Sequence, residues 1–346
     1  MMQLTSDLQI GARIGAGYFG EVHIGTDHVH GQVAIKILRS LDGEPAAEWL
    51  RRKNGLLDEA RSLSQATHQN VVRVFYVAES DSDDAIHLVM EYCSGGSVQS
   101  SFERGPIKIG EVRRIITGAA LGLQALHARG MLHRDIKPSN LLMDANRALK
   151  LGDFGFVTDN LIFGYASHQG YLDHLAPEVW NGSGTSVKSD IWALGMTTYR
   201  LLHGAEWYEK SPRPRTVVPD GGFAEKLKWL PHVPQKWRRF VRKALHDDPD
   251  SRFPSATAVI DGVAKLEAES GWECSAAASE TRWQRVTDTR RINVVWTKHS
   301  PRQYSWKAWS EPLVEGRVRS LGRSTVRLGY AASERQLCEF FSQRLV

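Results

Sequence analysis

Cysteine is scarce in this chain: Cys93, Cys274 and Cys338 are the three in 346 residues, and no two have CxxC spacing. That excludes a disulfide framework and a cysteine-built zinc cluster, and it suits a reducing compartment. No apolar run approaches the ~20 residues that a bilayer span requires. The opening MMQLTSDLQIGARIG lacks the basic segment and long apolar core of a secretory leader. A cytoplasmic protein with no membrane partner is therefore expected. Internal repeats and low-complexity linkers are also missing. What is present is ordinary for a globular protein, 42% hydrophobic and 24% charged residues, which excludes wholesale disorder. The length accommodates a two-lobed domain and a small accessory domain.

Charge is unevenly placed. Residues 271–346 hold 13 Lys and Arg against 7 Asp and Glu, a net of +6, so the remaining chain carries −1 of the overall +5. Any argument about acidic partners belongs to this tail.

The first ~90 residues read as strands and one helix. Gly15 to Ile24 and Val33 to Leu38 resemble strands, with a turn near His30-Gly31. Residues 45–66 carry helix formers, and Leu56, Leu57, Ala60 and Leu63 share one face. Val71 to Val77 and Ile86 to Tyr92 read as further strands around an acidic turn. Beyond residue 97 the period becomes helical. Val112, Ile116, Ala119, Leu123 and Leu126 recur every three or four residues in a buried helix that ends near Gly130. Helices are also predicted over 187–203 and 235–246, and a hairpin from Arg291–Trp296 and Gln303–Trp309.

Gly15-Ala16-Gly17-Tyr18-Phe19-Gly20-Glu21-Val22 lets backbone amides approach phosphate oxygens without side-chain obstruction. Alone it is equally a plain turn. A dinucleotide fold would need a helix after it, and a strand follows. Val33-Ala34-Ile35-Lys36 places one lysine among apolar neighbours on an alternating strand, facing phosphate charge or simply solvated. Glu59, on the predicted helix, is a candidate ion-pair partner for Lys36 or an ordinary surface glutamate. His133-Arg134-Asp135-Ile136-Lys137-Pro138-Ser139-Asn140 packs a carboxylate, a lysine and an amide into one loop. Phosphoryl transfer needs a hydroxyl-proton acceptor, a cation near the transferring phosphate and a metal ligand. Thirteen residues on, Asp153-Phe154-Gly155 adds an oxygen ligand suited to Mg²⁺, a hard cation.

The order GAGYFGEV, VAIK, HRDIKPSN, DFG, APE resembles the eukaryotic-type (Hanks-type) serine/threonine protein kinase family over ~7–268. The resemblance implies an α+β, two-lobed protein kinase fold, a β-rich lobe over 7–92 and an α-rich lobe over 93–268. Residues 271–346 would form a small β-rich accessory domain. It also implies ATP and Mg²⁺ as cofactors and a protein substrate. Gly15, Gly17 and Gly20 would cover the phosphates, and Lys36, paired with Glu59, would contact them. Asp135 would be the catalytic base, Lys137 would steady the γ-phosphate, and Asn140 and Asp153 would bind magnesium. Adenine would sit between Val22, Ala34 and Leu142, with hinge contacts at Glu91 and Cys93 and Met90 at the back. Lys137 implies serine/threonine specificity. Glu178 of Ala176-Pro177-Glu178 would pair with Arg252, and Asp190 would brace the catalytic loop. Thr158, Tyr165, Ser167 and Tyr171 are candidate phosphorylation sites beside Arg134.

Two features depart from the family. Tyr171 stands where a threonine is usual before Ala-Pro-Glu, and His174 where a tyrosine is usual. Both bear on substrate preference, and Tyr171 alone leaves a nucleotide-binding scaffold without turnover as a rival reading. The tail interleaves Trp272, Trp283, Trp296, Trp306 and Trp309 with arginines and lysines. Such a pattern stacks nucleic-acid bases or builds the core of a small domain. A protein or nucleic-acid partner at this basic domain is a further expectation.

Overall fold

A computed structural model describes residues 8–17, 20–64, 67–80, 84–153, 172–218, 221–268 and 271–343. The N-terminal lobe is an antiparallel five-stranded sheet in the order β1-β2-β3-β5-β4. Its strands are β1 (Gln9–Gly17), β2 (Gly20–Asp27), β3 (Gly31–Leu38), β4 (Val74–Ser80) and β5 (Ala85–Glu91). The stretch Gly15–Ile24, read from sequence as one strand, is a hairpin of two. Gly20, paired with Gly17 at the start of the second strand, has a φ of 137° that L side chains rarely adopt. The fourth strand begins three residues later than its β-branched residues suggest. Val71 instead makes an isolated bridge to Leu151, tying this lobe to the next. Helix α1 (Ala46–Ser64) packs on β4, burying Trp49 and Leu56.

The second lobe is helical because its apolar residues repeat at helical spacing. In α3 (Ile109–His127) the five residues on the predicted stripe are fully buried. A short α2 (Gln99–Arg104), not evident in the sequence, precedes it. Two short pairs of strands, β6 (Gly96–Ser97) with β7 (Leu141–Met143) and β7 with β8 (Leu149–Leu151), hold the loop between α3 and β7. The central helix α4 (Val187–Glu209) starts at a capping box, in which the Ser186 hydroxyl accepts from Lys188 and Ser189 amides and Ser189 accepts from Ser186. It is longer than the predicted 187–203 because it resumes after a break at Gly204, where a Cβ would lie 2.4 Å from Gly105 backbone. Helices α5 (Gln235–Ala244) and α6 (Ala256–Ala264) complete the bundle.

The tail is an antiparallel meander, β13-β12-β11-β10-β9, with a helix on one face. The hairpin expected from sequence is β11 (Arg290–Ser300) and β12 (Gln303–Pro312), with Trp296 opposite Trp306. Strands β9 (Glu273–Ala276), β10 (Glu280–Val286) and β13 (Arg319–Arg323) and helix α7 (Tyr330–Ser342) extend it. Ile292, Val294 and Trp296 alternate onto the buried face. There the Trp296 indole donates to Ser333 (3.2 Å) and the Trp306 indole to Gln336 (2.7 Å), both on α7. Trp272, Trp283, Trp296 and Trp306 are buried, so four of the five tail tryptophans belong to the core. This core is continuous with that of the helical lobe: His232 packs 6.0 Å from Trp283 and 6.1 Å from Phe341. Among the described residues, no helix is long and apolar enough to cross a membrane.

Candidate active site

Between the lobes lies a cleft of about 570 Å³, a size typical of small-molecule sites. Its roof follows from strand register. Val22 and Lys36 are cross-strand partners, Ala34 lies two residues from Lys36 on the same face, and Ala34 pairs with Met90. Gly15 and Gly20 close one end, with Gly17 paired to Gly20 at the hairpin tip. Glu91 and Cys93 form the back wall and Leu142 the floor. Burial pushes the Cys93 thiol up to about 12, so this cysteine is a wall and not a nucleophile.

The polar floor is a strained loop held from beneath. Asp190, 1% exposed in the first turn of α4, accepts from the backbone amides of His133 (2.9 Å) and Arg134 (2.8 Å). His127 Nε2 donates to the same carboxylate at 2.8 Å. These three bonds fix Arg134 at a φ of 65°. Asp190 as brace agrees with the family resemblance. His127 was not singled out in the sequence, where it reads as the last turn of a helix. His133 is fully buried and its ring Nδ1 accepts from the Asp135 amide (3.2 Å); burial lowers its pKa although Asp190 and Asp135 oppose this.

Asp135 projects from this loop with its two oxygens in different states. Oδ2 accepts from Lys137 Nζ (2.7 Å) and Asn140 Nδ2 (2.9 Å), whereas Oδ1 is buried with no hydrogen-bond partner in the protein. Asn140 Nδ2 is also tied to the Asp135 carbonyl at 2.8 Å, and its Oδ1 accepts from the Ser139 hydroxyl at 3.3 Å. Across the cleft the buried Lys36 ammonium meets Asp153 Oδ1 at 2.5 Å. Desolvation alone would raise the Asp153 pKa; the charge and hydrogen bond of Lys36 overcome it and hold the carboxyl below its ordinary value. Asp153 has a φ of 57°, and the following Phe154 to Tyr171, including the candidate phosphorylation sites and Tyr171, lie outside the described residues. The Glu59 side chain, and with it the ion pair expected with Lys36, also lies outside them.

Farther along, the Arg252 guanidinium, fully buried, holds both Glu178 oxygens at 2.7 Å, the pairing expected from sequence. His174 is 5% exposed and bonds Arg200, whose guanidinium lies 4.4 Å from the Phe102 ring centroid. Burial, and then the Arg200 charge, keep His174 neutral well below the ordinary imidazole range. Next to it, Asp173 accepts from Tyr208 (2.7 Å) and Arg213 (3.1 Å). This buried network was not visible in sequence, because its members lie up to 40 residues apart.

In the described residues no cluster of three or more His, Cys, Asp and Glu could hold a metal. Asn140 and Asp153 both line the cleft, and each carries a side-chain oxygen, the donor type that Mg²⁺ takes. A family profile described as the protein kinase domain matches residues 8–262. The chain is 30% identical over 309 residues to serine/threonine-protein kinase ssp1 of Schizosaccharomyces pombe, covering 82% of this chain and 45% of that one. It is 31% identical to serine/threonine-protein kinase PrkC of Bacillus subtilis (73% of this chain, 39% of that one). With PknB of Mycolicibacterium smegmatis the identity is 29% (73% and 42%). The chain thus spans less than half the length of these relatives. The fold, the cleft and these matches together place the chain in the Hanks-type serine/threonine protein kinase family.

Proposed function

We propose that the chain transfers the γ-phosphoryl group of ATP to a serine or threonine hydroxyl of a protein. The observation that carries this reading is Asp135: one oxygen is fixed by Lys137 and Asn140, and the other is buried without a partner at the cleft. That free oxygen accepts the hydroxyl proton as the substrate oxygen attacks the γ-phosphorus. Lys137, 2.7 Å from the same carboxylate, pairs with it and offers positive charge to the transferring group. Lys36 and the glycine hairpin orient the nucleotide phosphates, and Val22, Ala34 and Leu142 exclude water from the base. Asn140 and Asp153 would hold magnesium, which when bound neutralises phosphate charge.

The test is transfer of radiolabelled phosphate from ATP to the protein itself and to a generic serine/threonine substrate. Asp135→Ala should lower the rate about 10²–10⁴-fold while nucleotide still binds. Nucleotide binding without transfer in wild type would favour the scaffold reading. Phosphotyrosine as the product would overturn the specificity.

The tail is read as a recruitment or regulatory module. Arg317, Arg319 and Arg323 are exposed on and beside the edge strand β13, and four tryptophans are buried, which favours an acidic protein segment over nucleic acid. Reversing these three charges should abolish salt-sensitive capture of an acidic peptide by the full chain. Retention of binding would end this reading, and stronger binding of single-stranded nucleic acid would transfer it to that partner.

A further inference from the structure

A second cavity, of about 400 Å³, lies at the seam between the helical lobe and the tail and shares no residue with the nucleotide cleft. Both bodies build it. The lobe supplies Trp207, near the end of α4, and Lys228; the tail supplies Trp296, Tyr304 and Tyr330. The three tail rings form a cluster with centroids 5.4–5.6 Å apart. Trp207 is fixed by an indole bond to the Lys228 carbonyl at 3.3 Å. The space exists because the end of β9 and the turn to β10 carry Ala276, Ala277 and Ala278, whose methyl groups leave open what larger side chains would fill.

Polar groups at this pocket are not mutually satisfied. Its walls include Lys210, Lys228 and Lys298 against a single carboxylate, Glu280. Glu280 is engaged by Arg282, and Lys210 by Glu206 at 2.9 Å. Lys228 and Lys298 are exposed, leaving a positive rim over an aromatic interior. The Tyr330 hydroxyl is buried without a hydrogen-bond partner in the protein, a state that buried polar groups rarely occupy.

We propose that this seam pocket binds a small planar aromatic anion. Its ring lies against Trp207 and the tail aromatics, and its carboxylate, sulfonate or phosphate faces Lys228 and Lys298. Such a ligand touches lobe and tail at once, so occupancy strengthens their docking by mass action. The site stands independently of the kinase reading.

The test uses the whole 346-residue chain with its nucleotide cleft saturated by a non-hydrolysable ATP analogue. Two fluorescent probes share one ring system: anilinonaphthalene sulfonate carries the anion, and phenylnaphthylamine lacks it. Wild type should bind the sulfonate saturably, and occupancy should raise the melting temperature. Ala278→Trp, on an exposed turn, should abolish binding of both probes. Lys298→Glu should weaken the sulfonate about tenfold and leave the neutral probe within about twofold, so the neutral probe also reports that the pocket remains formed. The site is overturned if the ATP analogue displaces the sulfonate from wild type, or if Ala278→Trp, with unchanged melting temperature, binds both probes as wild type does. Sulfonate binding indifferent to Lys298→Glu overturns the anion preference.

Discussion

At the scale of single residues the site depends on groups that have no room for substitution. A Cβ on Gly20 would lie 2.0 Å from the Ile37 carbonyl oxygen, at a φ that already excludes most side chains. Gly20→Ala should therefore destabilise the sheet by about 1–3 kcal/mol and weaken nucleotide binding, both measurable in one thermal melt with and without ATP analogue. A nucleotide-induced shift as large as in wild type would show that the hairpin tip does not cover the phosphates. Arg252 makes a different demand. It donates to both Glu178 oxygens and to the carbonyls of His246, Lys188 and Asp247. Lysine keeps the charge but cannot reach all five acceptors, so Arg252→Lys should cost about 2–3 kcal/mol, read as a lower urea midpoint at unchanged slope. Asp135 and Asn140 were legible as a group because phosphoryl transfer calls for a carboxylate and an amide at fixed spacing within one short segment, whereas the Glu178–Arg252 pair, 74 residues apart, was expected only from the family resemblance. His127, the Asp173–Tyr208–Arg213 cluster and the Arg200–His174 contact were not legible. Their partners lie on separate elements, and nothing in local spacing marks a buried polar pair before packing is known.

Elements follow the same division. The stripe of α3, the start of α4 and the β11–β12 hairpin were readable because burial on one face imposes a period of 3.6 or 2. The hairpin at Gly15–Ile24 read as one strand, since no change of hydrophobic pattern marks the boundary between its two strands. Helix α7 escaped notice in a segment taken as β-rich; it is placed by Leu337 and Phe340, both buried, under the tryptophan face of the sheet. The seam between tail and lobe follows from that placement, since α7 brings Cys338 within 3.5 Å of Arg238 and Phe341 against His232. Trp283, 1% exposed, stands in this seam. Trp283→Ala should cost about 3–5 kcal/mol. Because the core is shared, the loss should move one joint unfolding transition of tail and lobe, followed by calorimetry and by the effect of bound nucleotide on the melt. Two separate transitions in wild type would show that the tail folds independently.

The whole molecule carries buried imidazoles in the helical lobe, and they set its response to acid. His203 lies 4.2 Å from the Tyr199 ring and 5.2 Å from Trp229, donates from Nδ1 to the Tyr199 carbonyl (2.7 Å), and is pushed by burial down to about 3. His232, under Trp283 and Phe341, is pushed to about 3 by burial first and by the nearby Arg238 charge second. In the unfolded chain both take up a proton near pH 6.5. Between that pH and about 3 the unfolded state therefore binds more protons than the folded one. The stability contributed by these neutral rings is complete above the unfolded value and is lost as pH falls. Each ring costs about 1.4 kcal/mol per pH unit in that window. Two rings at pH 4.5 amount to about 5 kcal/mol, comparable with the whole stability of an ordinary domain. The melting temperature should thus fall steeply below pH 6 while changing little between pH 7 and 8. His232→Phe keeps the aromatic packing and removes one titrating group, so its stability–pH curve should be shallower by about one proton, most visibly between pH 6 and 4. A curve parallel to wild type through that range would mean that His232 titrates alike in both states, and the seam would then be open to water.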